Sequence, residues 1–263
     1  MFTLEHYIFL TLTIILTIVA IFLIFKFKPS FNLIFTIACI LCVISETAKT
    51  FSSIEFDWVN HYNKETGDFI AKEFVPFIKM EHFPIHLCSL QIANIFIVRF
   101  TKPGNRVRDA LLGFMFPTMI FGAILALLLP DTVDPLNVRT YQYFIYHGML
   151  VVLGVYIMFN KNLNIRPVHY LTSMAILFAL GLVSIYANSL FAQINVLSDG
   201  TFDIQYMPNL MFTMGSPVLS LFVFEKPHNW YIYLGCVAVI AFVVFALFYI
   251  PIFIRSKKQK VIN

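Results

Sequence analysis

Charged residues are scarce in this sequence. Asp, Glu, Lys and Arg together make up 12% of the 263 residues, whereas a soluble domain carries roughly 25%. Hydrophobic residues make up 59% and include 30 phenylalanines. A soluble fold of this length could not bury so much apolar surface, so the composition excludes a soluble globular domain and predicts a polytopic membrane protein. The net charge of only +4 does not indicate binding to nucleic acid.

Cysteine is also rare, with four residues at positions 39, 42, 88 and 236. All four lie in or beside apolar stretches, so no extracellular disulfide scaffold is indicated. The sequence also lacks a glycine-rich phosphate loop, an internal repeat and a low-complexity tract. A single domain over residues 1–263 is therefore the simplest organisation.

Long apolar runs are what the sequence does contain. An apolar helix of about 20 residues crosses a bilayer. The opening segment MFTLEHYIFL lacks the basic region of a signal peptide, so we expect the first run to be a retained transmembrane helix. The predicted fold is all-α, a bundle of seven transmembrane helices over residues of about 7–25, 31–51, 84–100, 109–129, 141–159, 168–190 and 230–254.

The basic residues predict the orientation of this bundle, because cytoplasmic loops are enriched in Lys and Arg. With seven spans, 12 of the 18 basic residues fall on one side of the membrane, with Asp109 alone among the acids. We therefore expect the N-terminus outside and the C-terminus in the cytoplasm. The 12 residues are Lys26, Lys28, Arg99, Lys102, Arg106, Arg108, Lys161, Arg166, Arg255, Lys257, Lys258 and Lys260.

Two further segments are assigned to the outer side. Residues 206–224 are apolar, but Pro208, Gly215 and Pro217 interrupt them, and an eighth span would move the basic tail outside. We expect an outer loop that dips into the interface, with an eighth span as the alternative. Residues 52–81 mix acidic and basic side chains and are predicted to form a solvated outer loop, or a lid over a site beneath it.

Polar residues cluster near the predicted outer ends of the helices. Cys88 lies about 5 residues, or about 8 Å, into the third span, and His147 lies at a similar depth in the fifth. Glu46 and Lys49 lie close to the outer end of the second span, and Asn188 near that of the sixth. Polar side chains that converge inside a membrane indicate a functional site.

Cys88 and His147 are the predicted reactive pair. A cysteine becomes nucleophilic when a base or positive surroundings favour the thiolate. His86 and Cys88 point about 160° apart on an ideal helix, which makes His86 a poor base and favours His147 from another helix. A thiolate at this depth could attack a lipid ester and form an acyl-thioester, which an acceptor hydroxyl or amine then resolves.

The cysteines also have a non-catalytic interpretation. A cysteine in a membrane span is commonly a small packing residue, and this applies to Cys88 as well. Cys39 and Cys42 form a C-x-x-C pattern on an apolar mid-membrane helix with no nearby ligand. Packing is the expected role of that pair.

The histidines and the Glu–Lys pair have alternatives of their own. His82, His86 and His147 could together bind zinc, since histidines four residues apart are a known ligand spacing. His86 could instead hydrogen-bond a neighbouring helix. Glu46 and Lys49, three residues apart, could form an ion pair within one helix.

Short motifs in this chain resemble those of the YwaF-like family of bacterial integral membrane proteins, in the same order along the sequence. HFPIHLCSLQ is similar to the LPLHLC-type motif of that family. The resemblance spans residues of about 40 to 250. The other matching stretches are LLLPD (127–131), YHGML (146–150), Asn195, Gly200, Asn209-Leu210-Met211-Phe212 and HNWYIYL (228–234).

The resemblance also implies an activity. The YwaF-like family is distantly similar to a eukaryotic transmembrane acyltransferase that moves fatty acyl chains onto ether lysophospholipids through an essential cysteine. By that resemblance, Cys88 matches the catalytic cysteine and has histidine support. The implied enzyme acts on membrane lipid.

The leading hypothesis is a cysteine-dependent lipid acyltransferase, transacylase or lipid-ester hydrolase with its pocket in the outer leaflet. Cys88 would be the nucleophile, His147 the general base, and His86 an orienting or oxyanion-stabilising donor. A membrane lipid would enter laterally between helices, and the reaction requires no metal or diffusible cofactor. The predicted substrate contacts are His82, Glu46, Gln91 and Asn209.

The sequence is also compatible with two other classes of protein. A small-solute or proton-coupled transporter would also bury His and Glu, but it predicts polar residues through the inner half of the membrane, where this sequence has few. A non-catalytic membrane accessory protein would use the same polar residues only to hold helices together.

Overall fold

The structure is a computed structural model that describes residues 3–62, 69–78, 86–130, 133–196, 202–206, 209, 211, 213 and 227–262. Within these residues the chain forms seven α-helices and two antiparallel β-hairpins. The helices are α1 Leu4–Phe27, α2 Phe31–Ser52, α3 Leu87–Phe100, α4 Arg106–Leu128, α5 Val138–Phe159, α6 Val168–Leu190 and α7 Pro227–Ile262. The strands are β1 Ile54–Tyr62, paired with β2 Phe69–Ile78, and β3 Gln193–Val196, paired with β4 Phe202–Tyr206.

Polar side chains begin several of the helices. Thr3 accepts a hydrogen bond from the backbone N–H of His6, and Ser30 accepts one from that of Leu33. Asn105 and Asn137 cap α4 and α5 in the same way. Such caps satisfy backbone donors that the first helical turn leaves unpaired, so these short polar residues set where each apolar run becomes a helix.

Six of the described helices are long and apolar enough to cross a membrane, namely α1, α2, α4, α5, α6 and α7. Large hydrophobic side chains cover their outward surfaces, as Leu16 at 63% exposed and Phe178 at 69% exposed illustrate. Apolar side chains on that scale are stable only in lipid. The chain is therefore a multi-pass membrane protein, as its composition predicts.

The third predicted span is shorter than expected. Helix α3 begins at Leu87 rather than near residue 84 and has 14 residues, which corresponds to a length of about 21 Å. The hydrocarbon core of a bilayer is about 30 Å thick. Residues 79–85 lie outside the described residues, so the part of α3 that the structure describes has less than the length of a full span.

Strands β1 and β2 pair antiparallel within the segment predicted to be a solvated loop, so that prediction is wrong for residues 54–62 and 69–78, and the predicted all-α fold is confirmed only as a mostly helical one. Strands β1 and β2 are rich in aromatic and β-branched residues, which favour extended backbone. Trp58 pairs with Phe74 across the hairpin, with ring centroids 5.2 Å apart, and the Lys72 amine lies 5.3 Å from the Trp58 ring. The mixed charges of this segment suggested a loop, but the cross-strand aromatic pairs stabilise strands.

A second short hairpin, β3–β4, follows α6. It ends at Tyr206, where the apolar segment 206–224 begins. Beyond Tyr206 the structure describes only Asn209, Met211 and Thr213 of that segment. The choice between an outer loop and an eighth span therefore lies outside the described residues.

Helices α4 and α5 form the centre of the bundle. They pack along their lengths, and Gly154 of α5 allows the close approach: a Cβ there would lie 2.6 Å from Cγ1 of Ile120 and 3.1 Å from the carbonyl oxygen of Phe116. Helices α3 and α6 pack against α4, whereas α1 and α2 pack against α5. The largest buried side chains gather along these contacts.

Hydrogen bonds between helices define the two ends of the bundle. Arg99 Nε donates to Thr36 Oγ1 at 2.7 Å, which brings the last turn of α3 to the start of α2. We call this the basic end. Gln142 Nε2 donates to Ser45 Oγ at 2.7 Å, which brings the start of α5 to the end of α2. We call this the cysteine end, because α3 starts there. That the basic end faces the cytoplasm stays a prediction.

Candidate active site

Cys88 lies in the first turn of α3, closer to the helix start than the sequence suggests. His86 is the N-cap residue, with extended backbone at φ −71° and ψ 152°, and its carbonyl accepts the hydrogen bond from the N–H of Leu90. Cys88 is half-buried and unbridged. Its position exposes the thiol to the positive end of the helix dipole, which favours negative charge. His82 lies outside the described residues.

Tyr146 of α5 holds the start of α3 in place. Its hydroxyl donates to the backbone carbonyl of Cys88 at 2.7 Å, and the tyrosine is only 5% exposed. Tyr146 also lies within electrostatic range of Cys42 and Glu46 on α2. The hydroxyl therefore joins α3 to α5 at the residue that carries the thiol.

His147 is buried one residue further along α5, at 3% exposed. Its Nδ1 lies 2.7 Å from the carbonyl oxygen of Tyr143. A carbonyl can only accept, so Nδ1 carries the proton and, in the neutral ring, Nε2 carries the lone pair. The imidazole lies 5.5 Å from the Tyr146 ring, edge to face, between ring centroids. Tyr146 thus contacts both Cys88 and His147.

Glu46 and Lys49 form the ion pair that their spacing allows. Lys49 Nζ lies 3.2 Å from Glu46 Oε1, and both side chains are partly buried at the cysteine end of α2. Lys49 also lies within electrostatic range of Cys88. A cation near a thiol favours the thiolate, but the Glu46 carboxylate pairs with this cation and the burial of Cys88 opposes the charged form.

Gln91 connects α3 to α4. Its Nε2 donates to Thr118 Oγ1 at 3.0 Å, its Oε1 accepts from Asn94 Nδ2 at 3.3 Å, and it is 1% exposed. Thr118 in turn donates to the carbonyl of Phe114 at 2.7 Å. Gln91 therefore has a packing role. That Gln91 contacts substrate stays a prediction, as it does for half-buried Asn209.

Asn188 belongs to a different set of polar contacts. Its Nδ2 donates to Thr213 Oγ1 at 2.8 Å, and Ser184 Oγ donates to the same oxygen at 3.3 Å. The indole Nε1 of Trp230 donates to the Thr213 carbonyl at 2.9 Å. These bonds connect α6 and α7 through Thr213. Asn188 therefore helps to join two helices, a role that its position in the sequence does not reveal.

Two other groups of residues singled out in the sequence are the candidate zinc ligands and the C-x-x-C pair. Among the described residues, no group of three or more His, Cys, Asp or Glu side chains is placed to hold a metal ion. His82, one of the three candidate zinc ligands, is not among those residues. Cys39 and Cys42 are free thiols on α2, buried in the core of the bundle.

An apolar groove of about 330 Å³ lies between α1, α2 and α5. Thr13 and Ile24 mark its extent along α1, and Leu33 and Leu41 mark it along α2. Phe144 lines it on α5, two residues before Tyr146. Its walls are apolar, and its volume lies in the range of small-molecule pockets.

The described helices, with a thiol, an imidazole and a tyrosine at the cysteine end, define a polytopic membrane protein with a candidate site at one end of the bundle. The chain belongs to the TMEM164 family, whose model matches residues 1–249. No curated protein and no solved structure matches the chain.

Proposed function

We propose that this protein catalyses acyl-ester chemistry on a membrane lipid, with Cys88 as the nucleophile. The observation that carries the proposal is the hydrogen bond from Tyr146 to the Cys88 carbonyl. It ties the first turn of α3, which carries the Cys88 thiol, to α5, which carries His147. The resemblance of the HLC and YHG motifs to the YwaF-like family, and through it to a lipid acyltransferase, supports the same activity.

In the proposed first half-reaction, His147 Nε2 takes the proton from the Cys88 thiol. The thiolate attacks the carbonyl carbon of a lipid ester, and the tetrahedral intermediate expels the lysolipid alkoxide, which takes the proton from His147. The products are an acyl-thioester on Cys88 and a free lysolipid. The dipole of α3 and the charge of Lys49 stabilise the thiolate, while His86 orients the substrate or donates to the oxyanion.

In the second half-reaction, an acceptor hydroxyl or amine attacks the thioester, and His147 removes its proton. The thiolate leaves and takes up that proton, which restores the free enzyme. Water as acceptor would make the same site a hydrolase. His82, Glu46, Gln91 and Asn209 are the proposed substrate contacts, and the apolar groove beside α5 would accept a hydrocarbon chain of the lipid.

The test compares Cys88→Ala with Cys236→Ala in reconstituted vesicles. Cys236 is an exposed cysteine on α7, so its loss controls for removal of a thiol as such. With labelled phospholipid as donor and lysophospholipid as acceptor, we expect Cys88→Ala to lose activity by about 10³-fold or more and Cys236→Ala to retain it. Full activity in Cys88→Ala would end the proposal.

A second measurement detects the intermediate directly. The wild-type protein, incubated with labelled donor and no acceptor, should acquire label that hydroxylamine releases, because hydroxylamine cleaves thioesters readily. Cys88→Ala should acquire none. Label that survives hydroxylamine, or that remains in Cys88→Ala, would contradict a thioester at Cys88.

A further inference from the structure

Arg108 is a buried cation in the first turn of α4, at the basic end of the bundle. It is 5% exposed, whereas Arg106, two residues earlier, lies on the exposed surface. Asn105 caps this helix by accepting a hydrogen bond from the N–H of Val107 at 2.8 Å. The two arginines therefore share one helical turn but have opposite environments, which makes Arg106 a matched control for Arg108.

The contacts of Arg108 leave part of its guanidinium unsatisfied. The guanidinium carbon lies 4.4 Å from the centre of the Phe31 ring on α2, a cation–π contact. Among the residues that the structure describes, no acceptor lies within hydrogen-bond distance of its buried Nε. The ring face supplies no directional acceptor for that N–H, and a buried donor without a hydrogen-bond partner is costly.

Asp109, the acid whose charge acts on Arg108, is already engaged. It is 5% exposed and lies within electrostatic range of Arg108, but its Oδ2 accepts a hydrogen bond from Asn164 Nδ2 at 2.8 Å. Asp109 also interacts with His169 of α6. The acid thus partly balances the charge of Arg108 without supplying an acceptor for Nε.

An anion with several acceptor oxygens would satisfy the open donor of Arg108. Guanidinium is always charged and presents a planar fork of donors that matches phosphate. The N-terminus of α4 adds N–H groups and a positive dipole end, which also favour an anion. The basic end of a membrane bundle lies at the level of the lipid headgroups, where phosphate is the abundant anion.

From this geometry we infer that Arg108 binds the phosphate of a phospholipid headgroup at the basic end, between the starts of α2 and α4. The site lies at the opposite end of the bundle from Cys88 and takes no part in the proposed acyl chemistry. Phe31 holds the guanidinium plane, and Nε is a donor to the phosphate. The lipid completes the hydrogen bonding that the described protein residues leave open at this arginine.

The experiment measures lipid binding to the full-length protein in a non-ionic detergent. The probes are dioctanoyl phosphatidylglycerol, dioctanoylglycerol, which lacks the phosphate, and inorganic phosphate. Arg108→Gln is expected to bind the phospholipid about tenfold or more weakly than wild type, and Arg106→Gln within about twofold. Dioctanoylglycerol is expected to bind wild type and Arg108→Gln equally.

Three outcomes would overturn the inference. Arg108→Gln could bind the phospholipid as wild type does, which would leave the guanidinium without a role. Arg106→Gln could lose as much phospholipid affinity as Arg108→Gln, which would show that the binding depends on general surface charge and not on Arg108. Inorganic phosphate could displace the phospholipid at equal concentration, which would identify the ligand as a free anion and not a headgroup.

Two further variants keep the test decisive if Arg108→Gln does not fold. Arg108→Lys preserves the charge but not the planar fork, so binding is expected to weaken severalfold in a folded protein. Phe31→Leu removes the ring that packs on the guanidinium and keeps the arginine, so phospholipid binding is expected to weaken severalfold as well. If Arg108→Lys binds the phospholipid as tightly as wild type, the planar fork has no role and the inference fails.

Discussion

Tyr146 is the residue that connects the two proposed catalytic groups. Its hydroxyl donates to the carbonyl of Cys88, and its ring contacts the imidazole of His147. The hydroxyl touches only the backbone of Cys88, so Tyr146 acts by positioning α3 against α5. Reaction rates respond steeply to such positioning, because a displacement of about 1 Å can cost about 10²-fold in rate.

The Tyr146→Phe variant tests this positioning role. It removes one hydroxyl and keeps the ring, so we expect the rate of acyl transfer to fall about 10- to 100-fold. Tyr143→Phe is the control, since its hydroxyl donates to the Ala126 carbonyl on α4 at 2.8 Å and does not hold Cys88. Each variant loses one hydrogen bond from a tyrosine hydroxyl to a backbone carbonyl, so we expect similar losses of thermal stability. A lower rate of acyl transfer in Tyr146→Phe alone would support the positioning role. Equal rates in the two variants would contradict it.

Cys88 and His147 could be proposed as candidate site residues from the sequence, whereas Tyr146 was not singled out. A thiol and an imidazole at matching depth are chemically distinctive, and both lie in motifs that resemble a known family. Tyr146 lies in the same YHG motif, but a tyrosine in a membrane helix is commonly an interfacial anchor. Which way its hydroxyl points depends on how α3 and α5 pack, and no local pattern encodes that.

Among the helices, α4 and α5 make the closest contact of the core, and it depends on glycine. Gly154 of α5 faces Ile120 and the backbone of Phe116 on α4. Small residues let membrane helices approach closely, and packing contacts then supply much of their association. Both neighbours lie on the same helix, and one of the contacting atoms is backbone, so the interface has little freedom to adjust.

Gly154→Ala should therefore destabilise the fold. The added Cβ would lie 2.6 Å from Ile120 Cγ1, and overpacking of this kind typically costs about 1–3 kcal/mol. Gly122→Ala on α4 is the control, because nothing lies within 4 Å of a Cβ built there, and alanine is the better helix former. Thermal unfolding in detergent should show a lower midpoint for Gly154→Ala and an unchanged or higher one for Gly122→Ala. The reverse order would contradict this packing.

Helix α3 shows where element prediction from sequence failed. The apolar run and Pro84 suggested a span from residue 84, whereas the helix begins at Leu87 after His86. The hairpin β1–β2 was missed for a related reason, since its charges masked the aromatic pairs across its strands. In both cases the local structure depends on contacts with other segments of the chain. The sequence of one segment does not show those contacts.

For the whole molecule, the number of crossings determines where the termini lie. Helix α3 is about 21 Å long, yet its last turn bonds to the start of α2 through Arg99 and Thr36. Its first turn bonds to α5 near the opposite end of α2, through Tyr146. The chain therefore passes from one end of the bundle to the other along α3, despite the short helix.

Termini on opposite sides of the membrane are the expected consequence. The predicted seven passages would put an N-terminal epitope outside and a C-terminal epitope inside, in line with the positive-inside rule. Antibody labelling of intact and permeabilised cells checks this: the N-terminal tag should be stained in both, and the C-terminal tag only after permeabilisation. Staining of both tags in intact cells, or of neither, would mean an even number of crossings.

The sequence by itself determined the class of this protein and the positions of most of its helices. Scarce charge and long apolar runs allow only a polytopic membrane protein, since lipid is the one solvent that tolerates such a surface. The sequence also indicated candidate reactive side chains, because thiols and imidazoles are chemically specific, and their catalytic roles stay a prediction. The tertiary structure alone decided which groups meet: Tyr146 with Cys88, Gln91 with Thr118, and Arg108 with Phe31. Those contacts depend on the rotation and depth of each helix against its neighbours, which the packing of the whole bundle sets.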